Sequence, residues 1–537
     1  MSIAVPSLTL RALLKTTASL VGFGGTAELV TGLTPSAQAL AVANAGTNSL
    51  TVFVVPTDND VESMTSDIRF FVAALQGFSE AEVARGVLPF PSLEVDPYRA
   101  IVPHFDVASA RARALTALAQ GTATVVVASA PALLPRVSGL KRLLQATREL
   151  ALGGELSPSD LGDLLVDAGF VREDPVDKHG EFCIRGGVVD FFPAGERYPI
   201  RVEFIGDVIE SLRQFDPSSQ RSVTTMDRTA VVPLRETFER KKKNLDDPEL
   251  FDRKSSVLEY LSQAVAQMFV TELEECERRV TKAVDQIGEN HAAATKRGES
   301  PPDPTTLFTT WSELRVHLEG GGRFETLGLD DGNALPHRPV ACQPATAFHG
   351  RLSDWVDAVR KNRFAGETQL FVAATAGRAE RITELLREHE LSAVSVDRAE
   401  TVQGVAVLVA TGQLSQGFRL PEAGLQVYAE TDVFDEDRRV YDRQKQKSAA
   451  TAFLSDLRDL KVGDHVVHVD HGIGGFVGLT RLDVGGIPHE LMELRYAAGD
   501  KLFVPVEHLD LIQKYTGGQH PALDRLGGAS WERAKTR

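Results

Sequence analysis

The sequence predicts a multidomain α/β protein: an α/β core with a small α+β insert, a further small α/β domain, and a C-terminal SH3-like β-barrel. Three observations carry that prediction. Helical stretches alternate with short apolar runs at the start of the chain, β-rich runs separated by Gly, Pro and Asp follow, and dense Val/Gly alternation fills the end. The 537 residues suffice for three to four domains at about 150 residues each.

Composition narrows the function classes. Hydrophobic residues make up 43% and charged residues 25%, as in an ordinary soluble globular protein. The 58 Lys and Arg against 74 Asp and Glu give a net charge of −16, which argues against a chain whose main task is coating nucleic-acid phosphates. Three separated cysteines, Cys183, Cys276 and Cys342, point to a reducing compartment and offer neither disulfide staples nor a zinc module. Arg11 and Lys15 interrupt the apolar stretch LTLRALLKTTASLVG, so it reads as a cytoplasmic amphipathic helix rather than a signal or membrane span.

Residues 1–147 form the first α/β part, with strands at TVFVVP from Thr51 and ATVVVASA from Ala123. The insert spans 148–232, where EFCIRGG, VVDFFP, PIRVEFI and VIESLRQF are separated by turn residues. Residues 233–355 follow, with a charged helical stretch from about Asn244 to Gly298 that ends at ESPPDPTT. A small α/β domain covers 356–440, with strands QLFVAAT and VAVLVA flanking a helix, and 441–458 is a polar linker. Residues 459–537 hold the barrel and the start of a basic helix. No internal repeat is evident.

Little in the sequence supports catalysis. Gly32-Leu33-Thr34-Pro35-Ser36-Ala37-Gln38-Ala39 stands before a helix as a phosphate loop would, but Gln38 and Ala39 occupy the places of the phosphate-reaching Lys and the magnesium-binding hydroxyl. Gly32, Gln38 and Ala39 therefore mark a degenerate nucleotide loop. The acidic run Asp435-Glu436-Asp437 reads as a solvated linker face. His465, His468 and His471 cannot converge on a metal along a regular strand, because His468 faces away from the other two. No nucleophile elbow or zinc-protease motif occurs, so no catalytic residue and no metal site is assigned.

Two surfaces suit protein recruitment. In Pro199–Ile205 the alternation sends Val202 and Phe204 inward and puts Arg201, Glu203 and Ile205 on the outer face. Arg beside Ile suits a contact hot spot, with Arg185 at the nearby Arg-Gly-Gly turn as a second cation. On the pattern alone, a solvated strand face is the favoured reading. Near the C-terminus, the aliphatic-rich turn Gly478–Gly486 carries Leu482, which either contacts a partner edge-wise or packs over the barrel end.

At these residues a resemblance enters. GEFCIRGGVVDFFPAGERYPIRVEFIGDVIESLRQFDPSSQRS, from Gly180 to Ser222, closely resembles the UvrA-binding domain shared by UvrB and the bacterial transcription-repair coupling factors (Mfd). GDHVVHVDHGIGGFVGL with YAAGDKLFVPVEHLDLIQKY, from Gly463 to Tyr515, resembles the RNA-polymerase-interacting module of those factors, a Tudor-like barrel related to CarD regulators. UvrB lacks that module, so the pair selects the coupling factors. GLTPSAQA sits where UvrB has its working loop, and GFRLPEAGLQVYAETDVF resembles the stretch preceding the polymerase module.

The resemblance implies a UvrB-like module without nucleotide hydrolysis, a third small domain and then the polymerase module. ATP and magnesium would serve only a motor that follows in complete members, and WERAKTR lies just ahead of that motor's place. It further implies that Arg185 and Arg201 contact UvrA, that Ile205 stands where the family can carry a phenylalanine, and that Leu482 meets the polymerase β subunit. The chain would then be a cytoplasmic, monomeric adaptor that reaches DNA only indirectly. Without the family's regulatory C-terminal domain, it would bind UvrA constitutively. Two other readings remain at this point: a UvrB-like ATP-dependent helicase or nuclease component, and a CarD-like transcription regulator.

Overall fold

A computed structural model describes residues 10–23, 28–46, 49–93, 97–98, 103–239, 251–327, 337–396, 407–434, 465–468, 472–484, 487–505 and 512–514. The chain divides into two compact units, 1–434 and 435–537. The first unit is built on a seven-stranded, wholly parallel sheet. Its strand order is His337–Pro339, Leu29–Thr31, Gly322–Glu325, Gln267–Thr271, Thr51–Val55, Val125–Ser129 and Val87–Phe90. Residues before the insert thus supply four strands and residues after it three. Thr51–Val55 and Val125–Ser129 are buried along their whole length, as β-branched runs covered by helices on both faces must be. The amphipathic N-terminal helix, Leu10–Val21, buries Leu13, Leu14, Ala18 and Val21 and keeps Arg11 and Lys15 outside.

One part of the sequence reading fails here. The stretch expected to be helical from Asn244 to Gly298 contains the strand Gln267–Thr271, which lies near the middle of the sheet between the helices Val257–Gln263 and Leu273–Lys296. Five residues are too few for periodicity to separate a buried strand from a buried helical turn. The apolar run QMFVT therefore merged with the helical pattern around it.

The insert has its own sheet, ordered Ser222–Thr225, Val208–Phe215, Ile200–Ile205, Val188–Phe191, Glu181–Arg185 and Val171–Arg172. All neighbours are antiparallel except the last pair. The helix Pro158–Ala168 packs Leu161 and Leu165 into a core with Phe182, Val189, Phe191, Val202 and Leu212, separate from the cores of the parallel sheet. Entry strand Arg148–Ala151 pairs antiparallel with exit strand Arg228–Val231, clasping the two ends together. Two arginines of the helix Phe105–Gln120 meet the insert and the segment just after it. Arg111, fully buried, donates to Glu236 from Nε at 2.6 Å and Nη2 at 3.1 Å. Arg113 Nη1 would stand 2.1 Å from a Cβ on Gly195, whose φ of +80° is a conformation that favours glycine.

Past the parallel sheet the chain enters a second six-stranded sheet. Its order is Gln343–Pro344, Phe418–Leu420, Leu425–Ala429, Thr368–Ala373, Val407–Thr411 and Ala393–Ser395. Sheet membership puts the passage between Pro339 and Gln343, ahead of the boundary at 355 read from the sequence. Phe371 and Val409 face the helices Leu352–Phe364 and Ala376–Glu388, packing with Trp355, Ile382 and Leu386. Leu370, Val372, Leu408 and Ala410 face the other way and join one core with Val30, Leu40 and Phe71. This third region therefore shares its interior with the first.

The second unit holds five antiparallel strands in the order Lys501–Pro505, Ile487–Arg495, Gly472–Val484, His465–His468 and Ile512–Lys514. Val466, Met492, Leu494, Tyr496 and Val504 form its buried cluster. Among the described residues these strands form one antiparallel sheet, and no pairing joins its two outer strands. The linker 441–458 and WERAKTR lie outside the described residues.

Candidate protein-binding surfaces and a filled nucleotide loop

The loop that would hold nucleotide runs from the strand Leu29–Thr31 to the helix Pro35–Ala45. Gly32 has φ +86°, and a Cβ on it would stand 2.4 Å from the Val340 carbonyl oxygen. Gln38 is buried and donates from Nε2 to the Leu33 carbonyl at 3.1 Å, so its side chain folds back on the loop itself. Ala39 is buried without any polar group, and Pro35 brings no N–H to the first helical turn. Ser36 is also engaged, its hydroxyl donating to Asp67 Oδ2 at 2.8 Å. The Gln38 amide and the Ser36 hydroxyl are thus both engaged within the fold.

Asp67, on the helix Asp58–Gln76, is a polar centre that no local pattern marked. It accepts from the Ser415 amide and hydroxyl, both at 2.6 Å, and joins the first region to the third. Burial pushes its carboxyl up to about 6 despite those hydrogen bonds.

On the insert, the strand Ile200–Ile205 alternates as the sequence indicates, with Ile200, Val202 and Phe204 buried and Ile205 at 68% exposure. Ile205 pairs with Val208, another exposed aliphatic residue, across a tight turn with Gly206 at φ +61°. The cations differ from the sequence picture. Arg201 is not a free surface charge: its Nε and Nη2 each donate to Asp190 at 2.7 Å, and Nη2 also reaches Gln220 Oε1 at 3.1 Å. Its guanidinium lies 4.4 Å from the centre of the Phe215 ring, and only 18% of the side chain is exposed.

Arg185 donates to the same Asp190 at 2.8 Å, lies 3.5 Å from Asp174, and keeps 46% of its side chain exposed. Hydrogen bonding to Asp190 holds both guanidinium groups above their ordinary range. Glu203 accepts from Ser211 and pairs with Arg213 on the same face. Asp190 was missed because its partners are fixed by strand register: Cys183, Asp190 and Arg201 stand opposite one another on three adjacent strands.

In the C-terminal unit the expected turn at 478–486 is largely strand. Leu482 belongs to Gly472–Val484 and stands opposite His489 in a long hairpin, while its side chain lies outside the described residues. His465 and His468 occupy one strand, opposite Gly475 and Gly472, and His471 lies outside the described residues, as does the acidic run at 435–437. Among the described residues no cluster of His, Cys, Asp and Glu could hold a metal ion. No described helix is long and apolar enough to cross a membrane.

The insert, the third α/β region and the C-terminal antiparallel sheet follow one another along the chain. Three family models match it in that order: the UvrB interaction domain over residues 149–236, the MFD, D3 domain over 362–433, and the CarD-like/TRCF RID domain over 460–516. In domain series it corresponds to the N-terminal portion of a transcription-repair coupling factor. Proteins of that name are similar to it over most of its length. The one from Bacillus subtilis (strain 168) is 25% identical over 502 residues, covering 84% of this chain and 43% of the relative. The Myxococcus xanthus protein is 28% identical over 551 residues, covering 90% and 45%. The Staphylococcus aureus (strain USA300) protein is 26% identical over 580 residues, covering 96% and 47%. The chain thus spans under half the length of these relatives.

Proposed function

We propose that this chain is the adaptor portion of a transcription-repair coupling factor, holding stalled RNA polymerase through its C-terminal unit and recruiting UvrA through its insert for nucleotide excision repair. The observation that carries the reading is the presence of the UvrB interaction domain and the CarD-like/TRCF RID domain on one chain, in that order, around the D3 domain. The polymerase contact is assigned to the β subunit, with Leu482 at its centre on an SH3/Tudor-like barrel. On the UvrA side, the contact is assigned to Arg185, Arg201 and Ile205. A net charge of −16 suits a protein-binding stretch better than one that grips DNA, and DNA tracking is assigned to the motor of the complete factor. We place this monomeric adaptor in the cytoplasm.

The chain itself is assigned no ATP hydrolysis, a reading supported by the inward-folded Gln38 and by Ala39 at the place of a metal-binding hydroxyl. Co-purification with UvrA and with a polymerase β-subunit fragment tests the adaptor. Retention of both is expected, and failure to retain UvrA would leave a CarD-like regulator. DNA-stimulated ATP turnover by the purified chain would instead favour a UvrB-like enzyme. Leu482→Arg should abolish β-subunit binding, and intact binding would remove the polymerase assignment.

A further inference from the structure

We propose that Asp190 is a positioning residue for partner recognition by the insert, presetting Arg185 on the outer sheet face with Arg201 as its brace; this rests on the reading of that face as the UvrA surface. Asp190 is 1% exposed, and both of its oxygens accept from guanidinium groups: Oδ1 from Arg201 Nε, and Oδ2 from Arg201 Nη2 and Arg185 Nη2, all at 2.7–2.8 Å. These bonds replace the hydration that a buried carboxylate loses. The Asp190 side chain is therefore fixed, and so are the two cations bonded to it.

The two arginines do different things. Arg201 is bidentate on Asp190, bonded to Gln220, and stacked on Phe215, with little surface left to offer. Arg185 spends one Nη2 bond on Asp190 and keeps nearly half its side chain in solvent. A guanidinium has five N–H donors, so Arg185 retains donors for a carboxylate or carbonyl oxygen on a partner. Its neighbour Asp174 is 58% exposed at 3.5 Å, a contact that solvent screens. The inner trio sets two positive charges against one negative, so its outward charge is positive. Holding Arg185 beforehand spares the rotamer entropy of ordering a long side chain on binding. The partner surface read by this arrangement is acidic or rich in backbone carbonyls, and it would also cover Ile205.

The test is titration calorimetry of the full chain against purified UvrA for wild type, Arg185→Ala, Asp190→Asn and the double variant, with thermal unfolding of each. Either single change should weaken binding about tenfold, and the double variant should be little weaker than the singles, because an unanchored Arg185 has less left to lose. Losses that multiply to about a hundredfold would show that Arg185 acts independently of Asp190 and would overturn the proposal. Nitrogen NMR of the unbound wild-type chain adds a measurement that needs no variant: Arg185 guanidinium rotation should be slowed, and rotation as fast as that of a solvated arginine would also overturn it. If the wild-type chain fails to bind UvrA, or Arg185→Ala binds as well as wild type, the UvrA reading itself falls, whatever Asp190 does for the fold.

Discussion

The insert and the third α/β region are of similar kind, each a six-stranded sheet with covering helix, yet they meet the rest of the molecule in opposite ways. The insert packs one sheet face on its own helix, while the other carries a charged network around the buried Asp190 and ends in exposed Ile205. The third region buries both faces, one on its own helices and one against Phe71 and Leu40 of the parallel-sheet region. A sheet that gives both faces to packing has no face left for a partner. The difference lies in how each sheet joins the parallel-sheet region.

The largest effects should come from aromatic truncations that contrast the two cores. Phe71→Ala and Phe191→Ala should each cost about 3–5 kcal/mol in urea unfolding. The distribution should differ. Phe71→Ala should lower amide-exchange protection in both the parallel sheet and the third region, whereas Phe191→Ala should lower it only in the insert. Equal loss everywhere from Phe191→Ala would mean that the insert core is not separate. Arg111→Ala should cost a similar or slightly smaller amount, about 3–4 kcal/mol, because Glu236 is left buried without its cation. That change should loosen the segment that follows the insert, read as lower amide-exchange protection around Glu236.

A smaller effect sharpens the picture of the shared interior through pH. Asp67 and Asp432 are buried carboxyls pushed up to about 6, against about 3.9 in an unfolded chain. Between about pH 4 and 6 the folded state keeps protons that the unfolded state releases, so their contribution to stability falls as pH rises through that window and is level on either side. Asp67→Asn should shrink the drop between pH 4 and 6.5 by about 1–3 kcal/mol, measured as urea midpoints at the two values. An unchanged drop would show that Asp67 does not titrate in this window. The smallest change concerns the open face of the insert. Ile205→Ser should leave stability within about 0.5 kcal/mol and weaken UvrA binding by about 1 kcal/mol in titration calorimetry.

Much of this organisation was legible in the sequence. Thr51–Val55 and Val125–Ser129 announce a parallel sheet because their β-branched runs have no polar face, and the alternation of Ile200–Ile205 fixes which side chains face outward. The strand Gln267–Thr271 was hidden because a short apolar run between helices carries no period of its own. The filled loop was half legible. Gln38 and Ala39 declare the missing chemistry, but not that Gln38 turns back to Leu33. Asp190 and Asp67 were invisible for a different reason. An isolated Asp has no local signature, and the partners that define them come from neighbouring strands or, for Ser415, from a separate region of the chain.

The clasp between Arg148–Ala151 and Arg228–Val231 has an evolutionary consequence. Because entry and exit run side by side, the whole insert occupies a single gap of a few ångströms in its host, and the parallel sheet takes strands from before and after it without distortion. Such a segment behaves as a cassette. It can be gained, lost or exchanged between chains as one piece, with a short turn sufficient to heal the host, while a domain fused through its core can only change together with its neighbour.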